Sequence, residues 1–313
     1  MAFAGAIPLH AQAQNEVRCA AVAASVEKAG FADGVTVTCD AGHAHIHSNA
    51  YPNHKMMTGI VGSNEQIPVP AKGYAAPIPL EPTLGETPFT RDAALGVAVN
   101  GVPIFDYTAG GEMTRQDLYH HQTHHDTILL QQLDECGGHA GRGDDYHYHA
   151  TPTCMIAQME NAGDDAIIGW AFDGFPIYGH KNPDGTSIQA STLDVCNGQP
   201  DATYGYRYHT SDDAPYIIQC LMGKVENFDA LPRIAPLRSS EDGRERENGV
   251  PPRDGVTGLT FTEDASGARS MDYTYQGEPY YIRYTPSSNA NCYNFETRTI
   301  TSGGTVRTGE YCR

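Results

Sequence analysis

Basic charge is scarce in this chain. Its 313 residues carry 20 Lys and Arg against 38 Asp and Glu, a formal net charge of −18. Nucleic-acid binding draws on clustered Lys and Arg, so that class is excluded. An acidic surface instead suits an extracellular setting and attracts cations. Long apolar runs are also missing. No stretch approaches the ~20 residues of a membrane span, and none is expected. Gly-x-Ser-x-Gly, P-loop and Gly-x-Gly-x-x-Gly signatures are absent, which leaves serine-hydrolase and nucleotide readings without support. Cys-x-x-Cys is absent too, which argues against thiolate zinc sites and dithiol redox chemistry.

What is present is a duplication. Leu133-Asp134-Glu135-Cys136-Gly137-Gly138-His139 followed by Tyr146-His147-Tyr148-His149 recurs 60 residues later as Leu193-Asp194-Val195-Cys196-Asn197-Gly198-Gln199 followed by Tyr206-Arg207-Tyr208-His209. Upstream, residues 95–105 match residues 168–178 at an offset of 73, so the first copy carries thirteen extra residues (73 − 60). That surplus includes His120-His121 and His124-His125-Asp126. Two copies suggest an intramolecular pseudo-dimer, since a solenoid needs three or more repeats. The copies keep Leu, Asp, Cys, Gly and both Tyr but change His139 to Gln199 and His147 to Arg207. A site is therefore expected in the first copy alone.

The eight cysteines fall as four neighbouring pairs: Cys19 and Cys39, Cys136 and Cys154, Cys196 and Cys220, Cys292 and Cys312. Connectivity among roughly 105 possibilities is not fixed by sequence. Each repeat holds one pair with its first Cys in the same register, so local pairing is the economical expectation. Residues 1–13 read as the tail of a secretory signal, with Ala11-Gln12-Ala13 as an A-x-A cleavage site. With the even cysteine count this points to an oxidising space, secreted or periplasmic.

The expected fold is mainly β: β-rich and loop-heavy, with an internally duplicated, pseudo-twofold core and little helix. A helix is expected over 16–29, a strand over 35–39 with a hairpin partner over 44–48, and a Pro-rich wrap over 66–90. The duplicated core spans 91–224, with repeat one over about 91–155 and repeat two over about 163–224. A helix within 116–133 is a further expectation. Residues 225–255, with their charge run, read as a linker or exposed loop. Two hairpins follow in 256–313, one turning at Gln276-Gly277 and one whose open end Cys292 and Cys312 would staple.

Three histidine groups account for most of the fourteen histidines. On a strand, alternate residues face opposite sides. Tyr146 and Tyr148 would share a packing face, and His147 and His149, near His139, would form a metal-binding face. His43, His45 and His47 would share one strand face and complete the ligand sphere, with a third ring serving as a support or proton shuttle. His120 and His124, or His121 and His125, would lie at i,i+4 if helical, without the Glu of H-E-x-x-H. The plainer reading of each group is a polar strand or loop whose imidazoles bond to backbone or solvent. With sulfur in disulfides, the ligands are nitrogen and oxygen, suited to copper or zinc, and nearby phenols tilt towards copper or iron.

At these residues the chain resembles the YHYH family of secreted bacterial proteins. The carriers are residues 134–142, 144–149, 171–179 and 48–54, a match over roughly 45–224. The resemblance implies an exported protein with a two-part core and implies no particular activity. The leading expectation is a secreted metal-binding protein, a metalloenzyme with a His-ligated divalent ion on the first repeat. It would act hydrolytically, with Asp144 or Asp145 as base, or oxidatively with copper, on an extracellular small molecule or polysaccharide. The alternatives are non-catalytic binding or delivery of copper or zinc, and a structural or adhesive module.

Overall fold

A computed structural model describes residues 9–110, 113–189, 192–239 and 250–313. Helix α1 (Leu9–Lys28) leads, followed by the hairpin of β1 (Thr36–Cys39) and β2 (His43–Ser48). The helix expected over 16–29 is present and begins earlier, through Ala11–Gln12–Ala13; residues 1–8 of the expected leader lie outside the described residues. Val22 and Val26 bury one helix face, and the Cys19–Cys39 disulfide ties α1 to β1. At the hairpin turn Asp40 Oδ1 accepts from the Gly42 and His43 amides at 2.8 Å each, an Asx turn. The Pro-rich wrap supplies β3 (Tyr74–Pro79), antiparallel to β2, and β4 (Leu84–Phe89).

The duplicated region forms one eight-stranded sheet. Its first copy contributes β5 (Gly96–Ala98), β6 (Pro103–Ile104), β7 (Gly138–Ala140) and β8 (Tyr146–Tyr148). A short helix α2 (Thr153–Gln158) intervenes, and the second copy supplies β9 (Gly169–Ala171), β10 (Pro176–Tyr178), β11 (Gly198–Asp201) and β12 (Gly205–His209). The strand order is β11-β12-β10-β9-β5-β6-β8-β7, one copy followed by the other reversed. At the junction β5 and β9 run antiparallel, pairing Gly96 with Ala171, Val97 with Trp170 and Ala98 with Gly169. At the offset of 73 Val97 and Trp170 are each other's equivalents and the Gly96–Ala171 pair maps onto the Ala98–Gly169 pair, so a local twofold passes through the Val97–Trp170 pair. A Cβ on Gly96 would stand 2.7 Å from Trp170 O, and one on Gly169 2.8 Å from Val97 O. The two strands meet closely at equivalent glycines, as symmetric packing requires. Trp170 is fully buried and donates from Nε1 to Ser25 Oγ at 2.9 Å, fastening α1 over the junction.

Cys136 pairs with Cys154 and Cys196 with Cys220, each within its own repeat, and each of the four disulfides joins neighbours in sequence. Beyond the core, β13 (Leu221–Gly223) pairs with β4. A six-stranded antiparallel sheet then comprises β14 (Arg238–Ser239), β15 (Val256–Glu263), β16 (Arg269–Tyr275), β17 (Glu278–Pro286), β18 (Cys292–Arg298) and β19 (Val306–Cys312). Both expected hairpins form, the first turning at Gln276-Gly277 with positive φ at both, as a two-residue hairpin of type I′ requires. Cys292 and Cys312 face each other across the open end of the second.

Two local readings differ from the structure. Residues 116–133 hold only a 3-10 turn, Asp117–Tyr119, and no α-helix. Polar side chains take the backbone instead: Asp126 Oδ1 accepts from the Ile128 and Leu129 amides, and Gln122 N donates to Tyr107 Oη. The described part of 225–255 packs rather than hanging free, with Leu231 and Leu237 buried and β14 paired to β19. The charge run at 241–247 lies outside the described residues.

Candidate metal centre

Strands β7 and β8 set His139 directly opposite His147. His149, two residues on, points to the same face. The three rings cluster with centroids 4.7, 4.8 and 5.1 Å apart, and one nitrogen from each lies within 4.8 Å of the others. All three are buried. Nε2 of His139 and Nε2 of His149 stand 3.1 Å apart. Their Nδ1 atoms lie against carbonyl oxygens, His139 on Gln132 O at 2.9 Å and His149 on Asp106 O. A carbonyl only accepts, so each Nδ1 carries the proton and each Nε2 presents a lone pair.

Burial, and then the neighbouring His147, push His139 down to about 3; burial with His147 and His139 hold His149 well below the ordinary histidine range. Both rings are neutral at neutral pH, the form that binds a metal. Nδ1 of His147 lies 3.3 Å from Asp145 Oδ2, at ion-pair distance but off the line of a hydrogen bond. Burial of Asp145 opposes its ionisation, yet His147 and then Arg313 outweigh it and hold the carboxyl below its usual range. Phe105 stacks on the His147 ring at 4.0 Å.

Gly141 closes the other side of that ring, since a Cβ there would overlap His147 Cε1. Gly141→Ala is therefore expected to push the His147 ring out of register with its two partners. Any metal ion held by the trio should then bind on the order of 10-fold or more weakly, while the far-ultraviolet circular dichroism stays that of the wild type. Unchanged affinity would mean that the ring has room to spare.

The opposite face of β8 carries the tyrosines, as the alternation predicts. Tyr146 Oη donates to both Asp134 oxygens at 2.9 Å. Tyr148 Oη meets His54 Nε2 at 2.8 Å and accepts from Asn100 Nδ2 at 3.0 Å. The second copy repeats this face: Tyr206 Oη donates to Asp194 at 2.6 Å and Tyr208 Oη to Asp173. The perpendicular Tyr pairs have centroids 5.6 and 5.0 Å apart. These phenols lie on the strand face opposite His147 and His149, so they lend no weight to copper or iron at the trio.

On the histidine face the copies diverge. His209 keeps the carbonyl bond of His149, with Nδ1 2.9 Å from Gly179 O. Its Nε2 then accepts from Arg207 Nε at 2.9 Å and lies 3.0 Å from Gln199 Nε2. Arg207 also donates to Asp201 Oδ2 at 2.5 Å and to Asn182 Oδ1 at 2.7 Å. Asp201 is the counterpart of Gly141. A guanidinium with a partner on each of its three nitrogens fills this copy.

The remaining candidates stand elsewhere. His43, His45 and His47 share a face of β2 as expected, but in the three-stranded sheet of β1, β2 and β3, and they do not join the trio. His45 Nε2 pairs with Asp40 Oδ2 and His47 Nε2 with Thr38 Oγ1, both at 2.8 Å, so their own hairpin holds them. Asp144 is buried with Oδ2 accepting from Leu237 N at 3.1 Å, which anchors the approach to β14. His121 bonds Asp126 Oδ2 at 2.6 Å, and Tyr216 Oη donates to the same atom. The supports that sequence reasoning missed are the carbonyls of Gln132 and Asp106 and the ring of Phe105. A carbonyl leaves no signature in the residue that bears it.

No curated protein and no solved structure matches this chain. A family model described as YHYH protein matches residues 75–191, a span that begins within β3, passes β10 and contains His139, His147 and His149. Over those residues the chain carries a YHYH domain.

Proposed function

We propose that the first repeat holds one transition-metal ion, copper or zinc, on His139, His147 and His149, and that the protein is a secreted or periplasmic metal-binding protein. The comparison between copies carries this reading. In the second copy, the nitrogen equivalent to His149 Nε2 meets the Arg207 cation and an amide donor. In the first copy it faces another lone pair at 3.1 Å. Two buried lone pairs at that distance repel unless a cation lies between them. A proton is a poor occupant, because both rings resist protonation. A metal fits: bonds of ~2.0–2.1 Å at a tetrahedral angle place two nitrogens roughly 3.3 Å apart. The carbonyl partners of His139 and His149 match the supports that metal-bound imidazoles use, and the Asp145 carboxylate stands 3.3 Å from the outer nitrogen of His147. Four disulfides fit an oxidising compartment.

In this reading Asp145 positions His147, and Asp144 holds the fold, so neither serves as a base. Asp145→Asn keeps the shape and removes the charge. Metal affinity is expected to fall by about 10–100-fold, read by competition with a chromophoric chelator. An unchanged affinity would remove Asp145 from the site.

Catalysis is the second reading, favoured by the ligand count. Three imidazoles leave a tetrahedral ion one open position, as in catalytic rather than structural zinc sites. A bound ion would supply a water acidified towards neutrality or polarise a substrate oxygen. A cleft of about 530 Å³ lies between the repeats, lined by Asp134, Thr151, His180, Asp212 and Tyr216 among others. The three histidines are not among its lining residues, which favours holding a metal over turning over a ligand in that cleft.

A further inference from the structure

The row on β2 has a chemistry of its own. Ala44 and Ile46 are fully buried, which forces His43, His45 and His47 outward on one face. The ring centroids are 5.9 and 6.1 Å apart. Asp40 rises beside them from the turn, held by the Gly42 and His43 amides on Oδ1. Its Oδ2 is 2.8 Å from His45 Nε2, and its Oδ1 is 3.9 Å from His43 Nδ1. One carboxylate thus stands between two imidazoles, with side chains 57%, 44% and 29% exposed for Asp40, His43 and His45. His47 is drawn aside to Thr38. The backbone beneath is stiff: β2 is the central strand of its sheet, and Cys39 is tied to Cys19.

We infer that Asp40, His43 and His45 form a second, solvent-exchangeable site for Cu²⁺, separate from the buried trio of the first repeat. Two imidazole nitrogens and one carboxylate oxygen suit a borderline divalent ion, and Cu²⁺ stands highest in the general affinity order for such donors. The donors come from one rigid hairpin, so side-chain rotations alone, drawing the His43 and His45 rings together from a centroid separation of 5.9 Å, bring them onto one ion. The net charge of −18 enriches cations at the surface. The open position implies exchange with free aqueous ion, whereas the trio is enclosed.

Equilibrium dialysis of the full chain against CuCl₂ tests this, with His43→Asn/His45→Asn, Asp40→Asn and His147→Ala compared with wild type. The wild type is expected to bind two Cu²⁺, and the His43/His45 double variant one. Asp40→Asn keeps Oδ1 for the turn and should weaken the exposed site at least roughly tenfold. The substituted rings are solvent-facing, and circular dichroism checks that the fold is kept. A double variant that binds as much Cu²⁺ as wild type overturns the inference. His147→Ala reports on the buried trio alone, so the two sites fail independently.

Discussion

His147→Ala is expected to abolish metal binding by the first repeat, with affinity falling by about 100-fold or more. Loss of a supporting partner alone costs about 10–100-fold, and loss of a ligand removes the donor itself. Two nitrogens would remain, from His139 and His149, and two imidazoles are a poor hold for an ion that takes four ligands. The fold should survive, because the ring's outer contacts are the Phe105 stack and Asp145, while the tyrosine face of β8 is untouched. Metal content after dialysis against a mild chelator reads the effect. Measuring it in the background of His43→Asn/His45→Asn removes any contribution from the exposed hairpin. Equal metal in the variant and its parent would sink the assignment.

The second large effect concerns the copy without a histidine trio. Arg207→His with Gln199→His should create a second buried metal site, raising the stoichiometry by one. His209 already has the orientation, with Nδ1 on Gly179 O as His149 has on Asp106 O. The strand pairing is ready as well, since Gln199 faces Arg207 as His139 faces His147. Without metal the variant should be less stable by about 3 kcal/mol. Arg207 is the ion-pair partner of Asp201, whose side chain is only 7% exposed, and its loss leaves that carboxylate with two backbone amides but no counter-charge. Added zinc should restore the stability, because the ion returns the missing positive charge. Chemical denaturation with and without zinc separates the two terms. A variant that is destabilised and gains nothing from zinc would show that the guanidinium does not stand in an ion's place.

Much of this was readable before the structure, for a physical reason. The period of a strand is two, so Tyr146-His147-Tyr148-His149 sorts into a phenol face and an imidazole face without any knowledge of neighbours. Duplication then indicated which face is scaffold, because Tyr206 and Tyr208 persist while His147 becomes Arg207. The shared register of Cys136 and Cys196 identified their local disulfides in the same way. Non-local pairing was beyond reach. His43, His45 and His47 were correctly placed on one strand face, but nothing in them tells that β2 pairs with β3 rather than with the large sheet. The helix expected within 116–133 failed because Asp126 and Tyr107 compete for the backbone amides there. The acceptors that fix the histidine tautomers are backbone carbonyls at Gln132 and Asp106, and the second copy uses that of Gly179 for the same task. A role that glycine performs as well as aspartate cannot be seen in side-chain identity.

The most direct test is X-ray absorption at the zinc and copper edges of the full chain carrying His43→Asn/His45→Asn, loaded and then dialysed. One ion per chain with three imidazole nitrogens at about 2.0 Å is the expected result. A protein that retains no ion, or one whose ion is bound by oxygen alone, would contradict a metal centre on His139, His147 and His149.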